Sequence, residues 1–115
     1  MHTDGQHVLP HAAVIWVDTW HALIAHSDHG RPTVTEVDRL AEPQHDYFER
    51  VAREAADCDR LMLLGPATTW QAFELEYESL YRRPDRFVEA ETAAPTTLGE
   101  LIERLRLLEP DLRRG

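Results

Sequence analysis

Apolar residues open this chain in short, dense runs with no helical spacing. Ala12 to Asp18 reads Ala-Ala-Val-Ile-Trp-Val-Asp, a β-branched and aromatic composition that predicts a strand. A break at Thr19 precedes a second strand from Trp20 to His26, and Asp28-His29-Gly30 marks a hairpin turn. Thr33 to Arg39 makes a third, more polar strand that suits the edge of a sheet. Three antiparallel strands are therefore expected first.

The period then lengthens. Phe48, Val51, Ala52 and Ala55 recur at i, i+3, i+4 and i+7, which predicts a helix with one apolar face and Pro43 in its first turn. It leads into the strand Leu61 to Leu64. Beyond Gly65-Pro66, Thr68 and Gln71 stand at capping-box spacing, so a second helix should start near Thr69. Trp70, Phe73, Tyr77, Leu80 and Tyr81 give that helix an apolar stripe, and Arg83-Pro84 ends it. Phe87 to Ala90 is the fifth strand. Thr97 and Glu100 form another capping box, followed by an apolar face of Leu98, Leu101, Ile102, Leu105 and Leu108 up to Pro110.

The order is β-β-β-α-β-α-β-α. Right-handed crossovers place the later strands parallel to the first, giving an α/β fold of ribonuclease H-like architecture, a mixed five-stranded sheet flanked by helices. Residues 1–10 are expected as a loose tail, 11–109 as a single domain and 110–115 as a C-terminal tail. No internal repeat or linker interrupts the pattern.

Composition narrows the classes of function. The chain has 115 residues, 43% hydrophobic and 29% charged, enough for one core. No apolar run approaches the ~20 residues that cross a bilayer, and the first residues lack the basic and apolar regions of a secretory signal. A single cysteine, Cys58, suits a reducing compartment, so a cytoplasmic protein without membrane attachment is expected. The formal net charge of -9 argues against extensive nucleic-acid binding, which needs a cationic surface, and favours a protein partner. All twelve cations are arginines. Arg82, Arg83 and Arg86 leave room for a local phosphate contact.

Catalytic chemistry finds little support. Cys58 lies between Asp57 and Asp59 at a helix C-terminus, where anionic neighbours and the helix dipole disfavour a thiolate. Ser27 and Ser79 are the only serines, and neither sits in a nucleophile elbow. The Gly65 turn lacks the lysine and glycine spacing of a phosphate-binding loop, although the amides of Thr69 to Gln71 can receive one anion. His21 and His26 are five apart on a strand and so point to opposite faces. A two-metal nuclease would need several carboxylates. Asp18 ends the first strand and Asp46 or Glu49 approaches from the helix, but the fourth strand finishes without an acid. Asp18 is better read as capping its turn, and Asp46 and Glu49 as a solvated helix start. No catalytic residue, metal or cofactor is expected.

Three segments carry a resemblance. Ala13-Val-Ile-Trp-Val-Asp18, Arg60-Leu-Met-Leu-Leu-Gly65-Pro66 and Val88-Glu-Ala-Glu91-Thr92, followed by Thr96-Thr97-Leu98, resemble the central domain of class I release factors. That group embraces the archaeal and eukaryotic release factors, the Pelota-type rescue factors and small bacterial single-domain proteins of the translational machinery group. The resemblance runs from about His11 to Leu108. Release factors of this lineage carry a Gly-Gly-Gln tip that promotes peptidyl-tRNA hydrolysis. The glycines here are Gly5, Gly30, Gly65, Gly99 and Gly115, with no two adjacent, so the tip has no counterpart.

The resemblance thus implies a non-catalytic, translation-associated single domain that binds the ribosome or a ribosome factor. Gly65, Pro66, Thr68, Thr69, Arg82, Arg83, Arg86, Glu91 and Thr92 are the expected binding residues. Two other readings stand beside it: an acidic protein-protein interaction module, as a homodimer or with another chain, and a divalent-metal-dependent ribonuclease H-like nuclease using Asp18.

Overall fold

The computed structural model describes residues 11–28, 30–82, 84–94 and 96–108. Arg83 and both expected tails lie outside the described residues.

The elements are β1 (Ala12–Val17), β2 (His21–Asp28), β3 (Arg31–Asp38), α1 (Gln44–Arg53), β4 (Arg60–Gly65), α2 (Ala67–Tyr81), β5 (Phe87–Thr92) and α3 (Leu98–Leu108), with a short 3-10 turn at Pro84–Arg86. They build one sheet in the order β3-β2-β1-β4-β5, the ribonuclease H-like order. β1 pairs antiparallel with β2, from Val17 against Ala22 to Ala13 against His26, and parallel with β4, from Ala12 against Arg60 to Trp16 against Leu64.

Burial explains why β1 reads as an unbroken apolar run. Side chains alternate across a strand, so Ala13, Ile15 and Val17 face one side and Ala12, Val14 and Trp16 the other. Both sides are covered. α1 and α2 pack on the first, where Phe48 meets Phe73 edge to face at 5.4 Å. α3 closes the second through Leu101 and Leu105, both fully buried. A central strand buried twice has no need of a polar alternation.

Several boundaries differ from the sequence pattern, each for a local reason. β2 starts at His21 because the Asp18 carboxylate accepts from the amides of Trp20 and His21, both at 2.7 Å, and holds the turn between the strands. The hairpin is also tighter than expected: Asp28 pairs with Arg31, and Gly30 takes a φ of 82° in the connection. α2 starts at Ala67 with Pro66 as its N-cap and no side-chain cap, so Thr68 and Gln71 do not form a capping box. The fixed φ of Pro66 sets the helix direction directly after the strand. Leu80 and Leu98, expected on apolar faces, are 36% and 53% exposed. Phe73, Tyr77 and Tyr81 follow one i+4 row and leave Leu80 on its flank. Leu98 opens α3 one turn before Leu101 reaches the sheet.

Candidate functional site

The parallel strands β1, β4 and β5 end together, at Val17, Gly65 and Thr92. Gly65 is dictated by that convergence. Its φ is +133°, and a Cβ there would lie 2.3 Å from the Val17 carbonyl oxygen. Only glycine lets β4 pass so close to β1. The ladder continues as Gly65 pairs with Thr92 and its carbonyl accepts from the Ala93 amide at 3.0 Å.

Pro66 then turns the chain into α2. Thr69 and Trp70 both donate their amides to the Pro66 carbonyl at 3.0 Å, so neither is left free for an anion, and the segment is a structural turn. The Trp70 indole reaches Thr92 Oγ1 at 3.5 Å and ties the helix start to the end of β5. Thr69 is buried, whereas Pro66, Thr68 and Thr92 are exposed. The result is a small, uncharged, hydroxyl-bearing ledge made by Gly65, Pro66, Thr68, Thr69 and Thr92.

Glu91 belongs to the flank of this ledge. Its register against Leu64 puts it on the α3 side of the sheet, where Arg104 holds it through two contacts, at 2.9 and 3.5 Å. Arg104 was not among the expected site residues. Thirteen positions separate the two, and no sequence period links them.

The arginine corner is elsewhere. Arg82 caps the far end of α2 in a left-handed conformation (φ 54°), about 22 Å of helix away from Pro66. Arg86 turns inward: its guanidinium donates to the Ala56 carbonyl at 2.8 Å and to Tyr77 Oη at 2.7 Å, and lies 5.9 Å from the Tyr81 ring. Burial pushes the Tyr77 phenol up to about 12, with the Arg86 hydrogen bond opposing the shift. Arg86 therefore closes the core beneath α2. The nine expected binding residues divide into the ledge with Glu91, the separate arginine corner, and Arg83 outside the described residues.

Asp18 is engaged in its own turn, and Tyr47 Oη donates to its carbonyl at 2.9 Å. Among the described residues, the one group of three side chains close enough to share a cation is His45, Asp46 and Glu49, with donor atoms within 4.8 Å of one another. It does not include Asp18, the carboxylate that a nuclease reading requires, and His45 pairs instead with Glu76 at 2.8 Å. His21 and His26 point to opposite faces as their spacing predicts: His21 lies against Trp16, with ring centroids 5.3 Å apart, and His26 against Thr35 on the α1 side. Cys58 is buried, and its thiol is raised first by that burial, with Asp57 and Asp59 adding only lesser effects.

No protein-family model and no curated protein matches this chain. Solved structures do match. Pelota of Archaeoglobus fulgidus aligns over 89% of this chain with a TM-score of 0.66 and 17% identity. The archaeal translation termination factor aRF1 aligns over 86% with a TM-score of 0.63 and 19% identity. A Saccharomyces cerevisiae translation termination-like factor involved in RNA quality control aligns over 88% with a TM-score of 0.50 and 11% identity. The chain spans about one third of the length of each: 32%, 34% and 34%. In fold, the chain resembles the central domain of release-factor-like proteins.

Proposed function

We propose that this protein acts by non-catalytic binding within the translation apparatus, on the ribosome or on a factor bound to it. The observation that carries this reading is the likeness of nearly the whole chain to Pelota and to a translation termination factor. Its sequence has no paired glycines, so occupancy or recognition replaces hydrolysis as the mechanism. The ledge of Pro66, Thr68 and Thr92, with Gly65 and Thr69 behind it and Glu91 beside it, is the contact surface in this reading. A net charge of -9 makes a ribosomal or accessory protein a better partner than bare RNA. The protein would then work in the cytoplasm, where ribosomes are.

Sucrose-gradient profiles of cells in growth, starvation and cold test the proposal. Co-migration of the protein with ribosomal fractions in at least one condition is expected, with release by Thr68→Glu combined with Thr92→Arg. Both substitutions change exposed side chains and leave the core untouched. Recovery only at the top of the gradient in all three conditions overturns it.

A further inference from the structure

We propose that the open edge of β5 receives an extended basic segment of a partner protein, added antiparallel to the sheet as a further strand. Among the described residues the sheet ends at β3 on one side and β5 on the other. The β3 edge is blunted by Pro32, which has no N–H to offer a neighbour. β5 carries no proline. Val88 is the extra residue at its register shift, and from Glu89 to Thr92 it runs in regular register with Met62 to Gly65.

The register decides which backbone groups are free. In a parallel pair, every second residue turns its N–H and C=O toward the neighbouring strand. The Ala93 amide donates to the Gly65 carbonyl, so by alternation Glu91 and Glu89 spend their backbone groups on β4. Ala90 and Thr92 then direct theirs outward, and both residues are exposed. Such a row is a template for strand addition.

Charge selects what is added. On the α3 side of the edge, Glu89 is exposed and has no ion-pair partner among the described residues, while Arg104 is spent on Glu91. On the α2 side, the Trp70 indole reaches Thr92, and Glu74 and Glu78 continue that helix row at i+4 and i+8. No described arginine pairs with either. Burial, and then the charge of Glu78, holds the Glu74 carboxyl above its ordinary value. A second copy of the chain fits this edge badly: an antiparallel pair centred on Ala90 sets Glu89 opposite Glu91, and one centred on either glutamate sets it opposite itself. Like charges directly opposite are destabilising. Nucleic acid would bring phosphates to the same carboxylates. A strand with Arg or Lys at alternate positions meets attraction instead, its backbone bonded to Ala90 and Thr92 and its cations facing Glu89 and Glu91. The edge adjoins the ledge at Thr92, but the inference stands on register and charge and does not depend on ribosome binding.

Titration of the full-length, isotope-labelled protein with the peptide acetyl-Gly-Thr-Arg-Val-Lys-Val-Arg-Gly-amide, followed by amide NMR, tests the edge. Saturable shifts and slowed hydrogen exchange are expected at the amides of Ala90 and Thr92, with the β3 amides unmoved. Glu89→Lys, a change at an exposed position, should weaken binding about fivefold. The same peptide N-methylated at its Thr and both Val residues, which would face Ala90 and Thr92, should not bind. Absence of saturable shifts, equal binding of the methylated peptide or of one with Glu in place of its cations, or unchanged affinity in Glu89→Lys would each overturn the proposal. So would shifts of the same amides with protein concentration alone, which would put a second copy on the edge. No ribosome enters this experiment, so its failure is separate from failure of the ribosome reading.

Discussion

Gly65 shows how much one residue can decide. Its backbone passes within contact of Val17, and its φ of +133° lies where side-chain-bearing residues are strained. A β-carbon would meet a backbone carbonyl at 2.3 Å, and backbone cannot rotate away as a flexible side chain can. Gly65→Ala is expected to cost about 3 kcal/mol or more, combining strain with displacement of the β1–β4 pairing. Denaturant melts of the two proteins check this; a loss below about 1 kcal/mol would show that the strands part easily. The Gly-Pro dipeptide marked a turn in the sequence, but the reason for glycine was not visible there. The atom it avoids belongs to a strand forty-eight positions earlier, which only the parallel pairing brings near.

At the scale of elements, the two predicted capping boxes make a controlled comparison. Thr97 and Glu100 form theirs: the Glu100 amide donates to Thr97 Oγ1 at 3.1 Å, and the Thr97 amide to Glu100 Oε1 at 3.0 Å. Thr68 and Gln71 do not, because Pro66 already serves as N-cap and places Thr68 within the first turn. Spacing alone cannot tell these cases apart. Thr97→Ala should cost about 1 kcal/mol in chemical denaturation, whereas Thr68→Ala should stay near neutral. Equal losses would mean that α2 is capped through Thr68 after all. The Thr97 amide, with hydrogen bonds from Thr96 and Thr97, holds the Glu100 carboxyl below its ordinary value. A lowered folded pKa stabilises above the unfolded value near 4.5 and loses that stabilisation as pH falls through the folded value. The contribution of Thr97 should therefore shrink in acid.

For the whole molecule, the core beneath α1 and α2 holds Tyr47 and Tyr77 together, and burial raises both phenols above the ordinary value of 10.0. Above that pH the unfolded chain releases protons that the folded chain retains, so alkali favours unfolding. Stability should be undiminished by these groups below pH 10 and fall as pH rises toward about 12, the value for Tyr77. Circular dichroism and phenolate absorbance recorded together check this. The part of the absorbance change lost in Tyr77→Phe should coincide with loss of the fold, and its appearance in intact protein would contradict the assignment.

The order of strands and helices, most of the face each helix buries and the class of fold were legible along the chain, with Leu80 and Leu98 the exceptions on the helix faces. They rest on short apolar runs for the strands and on the 3.6-residue period for the helices, and both are written locally. Which residues share a site was not legible. Arg82 and Arg86 were grouped with the Gly65 turn among the expected binding residues, yet α2 separates Arg82 from that turn by its full length. Glu91 with Arg104 and Trp70 with Thr92 are juxtapositions made by strand register and helix packing. The sequence by itself determined what each segment would become. Only the tertiary structure decided what the segments do to one another, because contacts across a sheet depend on register and on the path of the crossovers, and neither leaves a period in the chain.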